Sequence, residues 1–236
     1  MTKDEQNCEI VFATTNNGKI HSMRKWVKKY GIKVSKHRKH SDFEKLIEPQ
    51  EGPLENIARQ KALFFRERIS KPLVVQDSGF FIKSLGGFPG HLVKPILSDI
   101  GIDGLLKLVG GHNRDCFFRD VLGFWYTLYE KLNKDKRDFL KYYPVEIFIA
   151  EVHGVLSSEP SKTKRNEMWS DLWTVFVPEG FDVTLSEMNK SEQDQFAFQT
   201  RKKNDSNCFL QFAEWINSRP YYYKSSQFEL FNENSV

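Results

Sequence analysis

The chain has 236 residues, of which 39% are hydrophobic and 28% are charged, and its formal net charge is +4. This size suits one domain with a substantial core, and the composition excludes a disordered chain. No apolar stretch approaches the ~20 residues of a membrane helix, and the first residues lack the apolar segment of a secretory signal. We therefore expect a globular cytoplasmic protein that does not contact membranes.

The three cysteines fit the same compartment. Cys8, Cys116 and Cys208 are far apart and form no Cys-x-x-Cys pair, so neither disulfides nor zinc are indicated. Cys116 and Cys208 each precede a phenylalanine, which favours their burial as small apolar side chains.

The first hundred residues alternate between strand and helix patterns. Residues 8–14 form an apolar, β-favouring run, and residues 19–30 carry apolar side chains at helical spacing before a predicted C-cap at Gly31. The elements predicted next are a short strand at 32–34, a helix at 55–70, a buried strand at 73–75, a glycine-rich turn at 85–90, and helices at about 93–100 and 104–109.

The second half of the chain is richer in strands. Aromatic and β-branched residues predict strands at 116–129, 145–156 and 173–177, a charged hairpin insert at 131–137, and an amphipathic helix at 207–217. Strands that alternate with helices early and dominate later indicate an α/β domain with a mixed sheet. We assign this domain to residues 1–219 and residues 220–236 to an aromatic and polar tail.

The turn at residues 13–19, with the sequence ATTNNGK, is the first candidate binding site. A strand that turns through small polar residues into a helix presents free backbone amides at the helix N-terminus, and these favour phosphate. Thr14 and Asn16 can add hydrogen bonds, and Lys19 adds a positive charge. The spacing differs from the Walker pattern, so an ordinary capped helix start explains this turn slightly better when it is taken alone.

Two acidic residues are candidates for metal binding and catalysis. Glu48 precedes a turn, and Asp77 follows the predicted strand at 73–75. Carboxylates are hard ligands for Mg²⁺, although a solvated glutamate and a turn-capping aspartate are the alternatives. Because open α/β sheets bind ligands at the carboxyl ends of their strands, the turn at 13–19 and Asp77 could share one cleft. Phe88, in the glycine-rich turn, could stack on a base or fill the core.

These motifs, in this order, resemble the inosine triphosphate pyrophosphatase family. Their joint occurrence is far more specific than any one of them, and the similarity covers roughly residues 8–216. The matching segments are residues 13–19, Glu48 to Gly52, Lys61, Asp77-Ser78-Gly79, residues 85–90 and Lys94.

The resemblance implies an elongated, two-lobed α/β homodimer with a cleft between its lobes. It also implies cleavage of the α–β bond of inosine, xanthosine and related purine triphosphates to nucleoside monophosphate and pyrophosphate. Glu48 and Asp77 would bind Mg²⁺, with Mn²⁺ as a substitute, or position the attacking water. The residues expected to bind the substrate are Thr14, Asn16, Lys19, Lys61, Ser78, Gly79, Phe88 and Lys94.

The second half of the chain departs from the family pattern. Residues 170–176 replace the segment that lines the family's base pocket, which puts Trp173 where an aspartate is expected, with Asp171 nearby. The family's Ser-His-Arg triplet, which recognises the base, is absent. Residues 197–199 stand in its place or, with a small shift, residues 200–201.

Gln76 also stands where many family members carry a second acid. The groups expected to bind phosphate and metal remain, whereas those that recognise the base are lost. A polar pocket discriminates because a wrong ligand leaves its donors unpaired, so losing those donors weakens discrimination. The sequence therefore predicts a Mg²⁺-dependent pyrophosphatase with altered or relaxed base preference.

Two other functions are kept as alternatives. A catalytically weakened relative could bind a nucleotide or a protein partner, using the insert at 131–144 and the tail. The basic run at 33–40 could bind nucleic acid, but it lacks interleaved stacking aromatics and is more typical of a solvated edge. We expect structural roles for His153, Trp26 and Trp215, and we assign no role to His91.

Overall fold

A computed structural model describes residues 9–47, 52–126, 145–165, 168, 170–202 and 206–218, with the backbone alone at 201–202. Glu48, Cys8, the insert at 131–137 and the tail at 220–236 lie outside the described residues. The boundary assigned between domain and tail therefore stays a prediction.

Seven strands of the described chain form one mixed sheet, which confirms the predicted α/β class. They are β1 (Glu9–Phe12), β2 (Lys33–Lys36), β3 (Leu73–Ile82), β4 (Pro89–Gly90), β5 (Asp115–Trp125), β6 (Val145–Leu156) and β7 (Phe176–Pro178). The order across the sheet is β2-β1-β3-β5-β6-β7, and β4 pairs with β3. β1 is parallel to β2 and β3, and the other pairings are antiparallel.

The described helices are α1 (Asn17–Val27), α2 (His40–Glu44), α3 (Leu54–Arg66), α4 (Val93–Val109), α5 (Lys190–Lys202) and α6 (Cys208–Asn217). Short 3-10 turns lie at Lys28–Tyr30, Lys83–Leu85 and Asp171–Thr174. α4 is kinked at Gly101, whose φ of 64° is not helical, and this kink separates the two helices predicted there. None of these helices is long and apolar enough to cross a bilayer.

The helices pack on the sheet through three buried clusters. α1 and α6 cover one face of β1, β3 and β5, with Met23 and Phe212 fully buried. α3 covers the opposite face, where Phe65 is fully buried. At the far end of β3 and β5, α4 and the β7 region pack around Phe80 and Phe176. Full burial of such a side chain is worth roughly 1.5–3 kcal/mol. We call the first two clusters the first lobe and the third cluster the second lobe.

The expected burial of cysteine is confirmed for both described cysteines. Cys116 and Cys208 are free thiols, with exposures of 0% and 2%. Burial raises the pKa of Cys116 to about 12, because a thiolate is poorly solvated in an apolar core. Both therefore act as small apolar residues.

Two strand predictions were wrong in their bounds. The strand predicted at 73–75 continues to Ile82, because β5 pairs with every residue of β3 and carries the polar segment Asp77-Ser78-Gly79 into the ladder. The strand predicted at 173–177 begins only at Phe176. Before it, the Ser170 side chain accepts the Leu172 N–H and starts a 3-10 turn, a local alternative to the sheet. The helices α2 and α5 were not predicted.

Gly154 marks a close approach between β6 and its neighbours in the second lobe. A Cβ there would overlap the carbonyl oxygen of Val177 and lie 2.8 Å from the Phe176 ring. We expect Gly154→Ala to destabilise the fold by about 1–3 kcal/mol, because backbone must move to admit the methyl group. Urea unfolding measures this change.

The matched control for this substitution is Gly111→Ala. Nothing lies within 4 Å of the position of a Cβ at Gly111. Equal unfolding midpoints for the two variants would contradict the packing described around Gly154.

Candidate active site

The candidate site lies at a gap along one edge of β3. β1 pairs with Leu73 and Val74, and β4 pairs with Phe80 and Phe81, so among the described strands residues 75–79 have no partner on that edge. β5 covers the whole opposite edge. The gap is bounded by the turn at 13–19, which follows β1, and by the turn that precedes β4.

The turn at 13–19 has the local structure of an anion site. The Asn16 side chain caps α1 by accepting the Lys19 N–H at 3.1 Å, and the Thr14 hydroxyl oxygen accepts the Asn16 N–H at 3.1 Å. These contacts use acceptors, so the Thr14 hydroxyl hydrogen and the Asn16 amide hydrogens remain as donors. The first amides of α1, at Asn17 and Gly18, have no acceptor within the helix. Together with the helix dipole they favour a phosphate group.

Lys19 connects this turn to the gap. Its Nζ donates to Ser78 Oγ at 3.0 Å and to the Gln76 carbonyl oxygen at 3.4 Å. That carbonyl is the next acceptor along the edge after the carbonyl of Val74, which accepts the Ala13 N–H. The Lys19 ammonium group therefore donates to β3 at the position where the next backbone N–H of β1 would donate if that strand continued.

Asp120, on β5, completes a polar chain beneath Lys19. Its Oδ1 accepts the Ser78 hydroxyl at 2.5 Å. Burial raises the pKa of Asp120, against the opposing charge of Lys19 and the hydrogen bond from Ser78. Burial lowers the pKa of Lys19, against the charges of Asp120 and Asp77. The opposite charges of Lys19 and Asp120 each offset part of the other's desolvation, and the Ser78 hydroxyl bridges the two groups.

Lys61 and Asp77 form a second charged pair at the gap. Lys61 Nζ lies 3.6 Å from Asp77 Oδ2, and both side chains are less than one-fifth exposed. Lys61 lies on α3, so the pair connects the helix of one sheet face with the strand. Side chains alternate along β3, so Asp77 faces the α3 side and Ser78 faces the opposite side. The gap thus has a lysine on each side of the sheet.

The remaining predicted site residues are more dispersed. Gly79 lets β4, which follows the glycine-rich turn, approach closely, because a Cβ at Gly79 would lie 2.8 Å from the Phe81 ring and 2.9 Å from the Gly90 carbonyl oxygen. Phe88 is 37% exposed in that turn, and Lys94 is exposed on the first turn of α4. The structure therefore brings Thr14, Asn16, Lys19, Lys61, Asp77, Ser78 and Gly79 to the gap. For Phe88 and Lys94 it gives a position but no contact with the site.

Two charged residues at the site, Asp120 and Lys36, were not among the site residues predicted from the sequence. Asp120 interrupts a strand that is otherwise largely apolar, which was the one available signal. Lys36 was counted only in the basic run at 33–40. Its Nζ donates to the Thr15 carbonyl oxygen at 3.0 Å and to Asn17 Oδ1 at 2.7 Å, so Lys36 fixes the turn at 13–19.

The second-half residues aligned with base recognition lie in two separate elements. Asp171 and Trp173 lie in the 3-10 turn before β7. Residues 197–199 lie on α5, where Phe198 is 54% exposed. The Thr200 hydroxyl donates to the Ala197 carbonyl oxygen at 3.0 Å, inside its own helix. None of these contacts reproduces a base-reading triplet in the part of the chain that is described.

Residues assigned structural roles mostly pack as expected. Trp26 and Trp215 are partly buried against the α1/α6 cluster. His153 is 46% exposed, with its ring 5.2 Å from the Phe117 ring and its Nε2 3.0 Å from Glu151. It lies on the sheet surface rather than in the core.

The fold and the gap define an α/β protein with a helix N-terminus beside two lysines and a carboxylate, an arrangement that can bind phosphate groups. Comparison with known proteins gives the family. The model of the Ham1 family matches residues 10–203, and the chain belongs to that family. This confirms the resemblance predicted from the motifs.

Relatives of similar length include several archaeal enzymes. The dITP/XTP pyrophosphatase of Methanopyrus kandleri is 33% identical over 208 residues, covering 88% of this chain and 95% of that protein. The dITP/XTP pyrophosphatase of Methanosarcina acetivorans is 34% identical over 212 residues, covering 89% and 98%. Among solved structures, a HAM1 protein from Coxiella burnetii superposes with a TM-score of 0.67 at 16% identity, covering 89% of this chain and 99% of that one.

Proposed function

We propose that this protein hydrolyses nucleoside triphosphates to nucleoside monophosphate and pyrophosphate. The observation that carries the proposal is the gap in β3, where Lys19 and Lys61 stand on either side of a strand that bears Asp77. The relatives named dITP/XTP pyrophosphatase match this chain over most of both lengths and support the same reaction.

Each residue of the gap has a role in this proposal. Thr14, Asn16 and the first amides of α1 bind phosphate oxygens, and Lys19 and Lys61 neutralise the triphosphate. Asp77 orients the attacking water. Water attacks the α-phosphorus and passes a proton to Asp77, the bond to the oxygen that bridges to the β-phosphorus breaks, and pyrophosphate leaves with that electron pair. Such a reaction depends on positioning and charge neutralisation more than on covalent catalysis.

Mg²⁺ is the proposed cofactor, with Mn²⁺ as a substitute. In the described part of the chain no three His, Cys, Asp or Glu residues cluster as a complete metal site. The residues nevertheless fit Mg²⁺, which binds through one or two carboxylates together with substrate phosphates. Asp77 supplies one carboxylate, and Glu48 is the proposed second. When bound, the ion would withdraw charge from the phosphate oxygens.

We propose a relaxed base preference within the inosine and xanthosine triphosphate class. The support is that residues 197–199 do not match the family's Ser-His-Arg triplet and that the Thr200 hydroxyl bonds within its own helix. We expect kcat/KM for inosine and adenosine triphosphates to differ by less than about 100-fold, the range that apolar contacts alone provide. Pyrophosphate release over a panel of purine and pyrimidine triphosphates with Mg²⁺ measures this ratio.

The panel has three informative results. Strong selectivity for inosine triphosphate would contradict the relaxed pocket but keep the enzyme. No pyrophosphate release from any triphosphate would contradict the enzyme and favour the nucleotide- or protein-binding alternative. Similar rates for several bases would support both proposals.

The remaining proposals concern location and assembly. We propose the cytoplasm, because Cys116 and Cys208 are free, buried thiols. We propose a homodimer on the strength of the family resemblance. We propose that nucleic acid is not a partner, because the net charge is only +4 and Lys36 of the basic run is already bonded to the turn at 13–19.

A further inference from the structure

A carboxylate that no sequence motif included lies beneath the phosphate-binding turn. Asp120 accepts the Ser78 hydroxyl at 2.5 Å, and Ser78 in turn accepts from Lys19 Nζ at 3.0 Å. A serine hydroxyl has one hydrogen and two lone pairs. Because its hydrogen is donated to Asp120, its lone pairs face the ammonium group. Asp120 thus fixes the direction of the hydroxyl that holds Lys19.

Gln76 is the neighbouring polar side chain on the same face of β3 as Ser78. It is 7% exposed, and its Oε1 has no hydrogen-bond partner among the described residues. Its Nε2 lies 3.9 Å from Cys208 Sγ, a weak contact at most. A neutral amide at this position gives Lys19 no counter-charge.

Strand register brings Gln76 and Asp120 together. Gln76 pairs with Leu122, and Ser78 pairs with Asp120. Gln76 and Asp120 therefore lie diagonally on the same sheet face, with the Asp77–Val121 pair between their two pairs. A negative charge at position 76 of β3 would therefore act on the same lysine as Asp120 on β5.

We propose that Asp120 is a positioning residue that holds Lys19, through Ser78, where the triphosphate binds. This rests on the proposed function only in taking Lys19 as a ligand of the triphosphate. Asp120 does not touch substrate. It supplies the counter-charge that keeps the ammonium group in one place before the phosphates arrive.

The test moves the negative charge between the two strands with isosteric substitutions. Asp120→Asn removes the charge, Gln76→Glu adds one, and the double variant Gln76→Glu/Asp120→Asn restores the original total. We expect Asp120→Asn to raise KM for inosine triphosphate about tenfold with kcat changed less than about threefold, because binding is lost rather than chemistry. The double variant should return KM to within about threefold of the wild type.

A matched control comes from the same strand. Asp115→Asn removes a surface carboxylate that pairs with Lys83 at 3.6 Å, and it should leave KM unchanged. If Asp120→Asn is unstable, the double variant decides the matter. A folded double variant with near-normal KM supports the proposal, and a double variant that fails to fold overturns it, because Asp120 would then serve folding alone.

A binding measurement tests this proposal separately from the proposed hydrolysis of triphosphates on which it rests. Calorimetry with a non-hydrolysable inosine triphosphate analogue gives Kd without turnover. If Lys19→Met leaves Kd unchanged, the proposed triphosphate site itself is wrong. If Lys19→Met weakens binding while Asp120→Asn does not, only the role of Asp120 is overturned. Weakening by both, with recovery in the double variant, supports the proposal even if turnover is absent.

Discussion

Asp77→Asn is expected to lower the rate of pyrophosphate release by about 10³-fold, the loss typical of removing a central charged group from a phosphoryl-transfer site. The amide keeps the shape of the side chain but cannot bind a metal ion as a carboxylate or take up a proton. Lys61, 3.6 Å away, would also lose its ion-pair partner at the gap. Steady-state kinetics at saturating triphosphate and Mg²⁺ measure the change in kcat.

The controls for Asp77→Asn separate chemistry from folding. Circular dichroism and the melting temperature should stay close to those of the wild type, since the side chain is partly exposed and isosteric with asparagine. Asp115→Asn, a surface carboxylate on β5, should keep full activity. Retention of more than about a tenth of the wild-type kcat by Asp77→Asn would remove Asp77 from the proposed mechanism.

Lys19→Met should lower kcat/KM by about 100-fold, the scale of one charge-assisted hydrogen bond to a phosphate in a partly enclosed site. The methionine keeps much of the side-chain volume and removes the ammonium group that reaches Ser78 and Gln76. The effect should appear mainly in KM, because the charge is used in binding as well as in the transition state. Initial rates over a range of triphosphate concentrations provide the measurement.

Two further variants make the Lys19 result specific. Lys107→Met removes an exposed lysine on the last turn of α4 and should change nothing. Lys36→Met should have an intermediate effect, because Lys36 fixes the turn through Thr15 and Asn17 without lying in the gap. If Lys36→Met costs more than Lys19→Met, the turn rather than the lysine is the dominant element of the phosphate site.

Local features of the site followed from the sequence because they depend on neighbouring residues. The turn at 13–19 needs only the N-cap Asn16, the small residue Gly18 and the apolar helix spacing that follows. Gly31 ends the first helical segment with a φ of 69°, as predicted from its position. Contacts between segments that are distant in the chain could not be predicted in this way. Asp77 was placed after a strand, although pairing with β5 keeps it inside β3.

The sequence alone therefore determined the α/β class, the family, the capped turn at 13–19 and the glycine-rich turn before β4. Only the tertiary structure decided which charges meet. Lys19 reaches Ser78 across 59 positions in the chain, and Ser78 reaches Asp120 across 42. Such contacts depend on strand order, register and the face of the sheet on which each side chain lies. No local pattern encodes these, so the acid beneath Lys19 became visible only when β3 and β5 were paired.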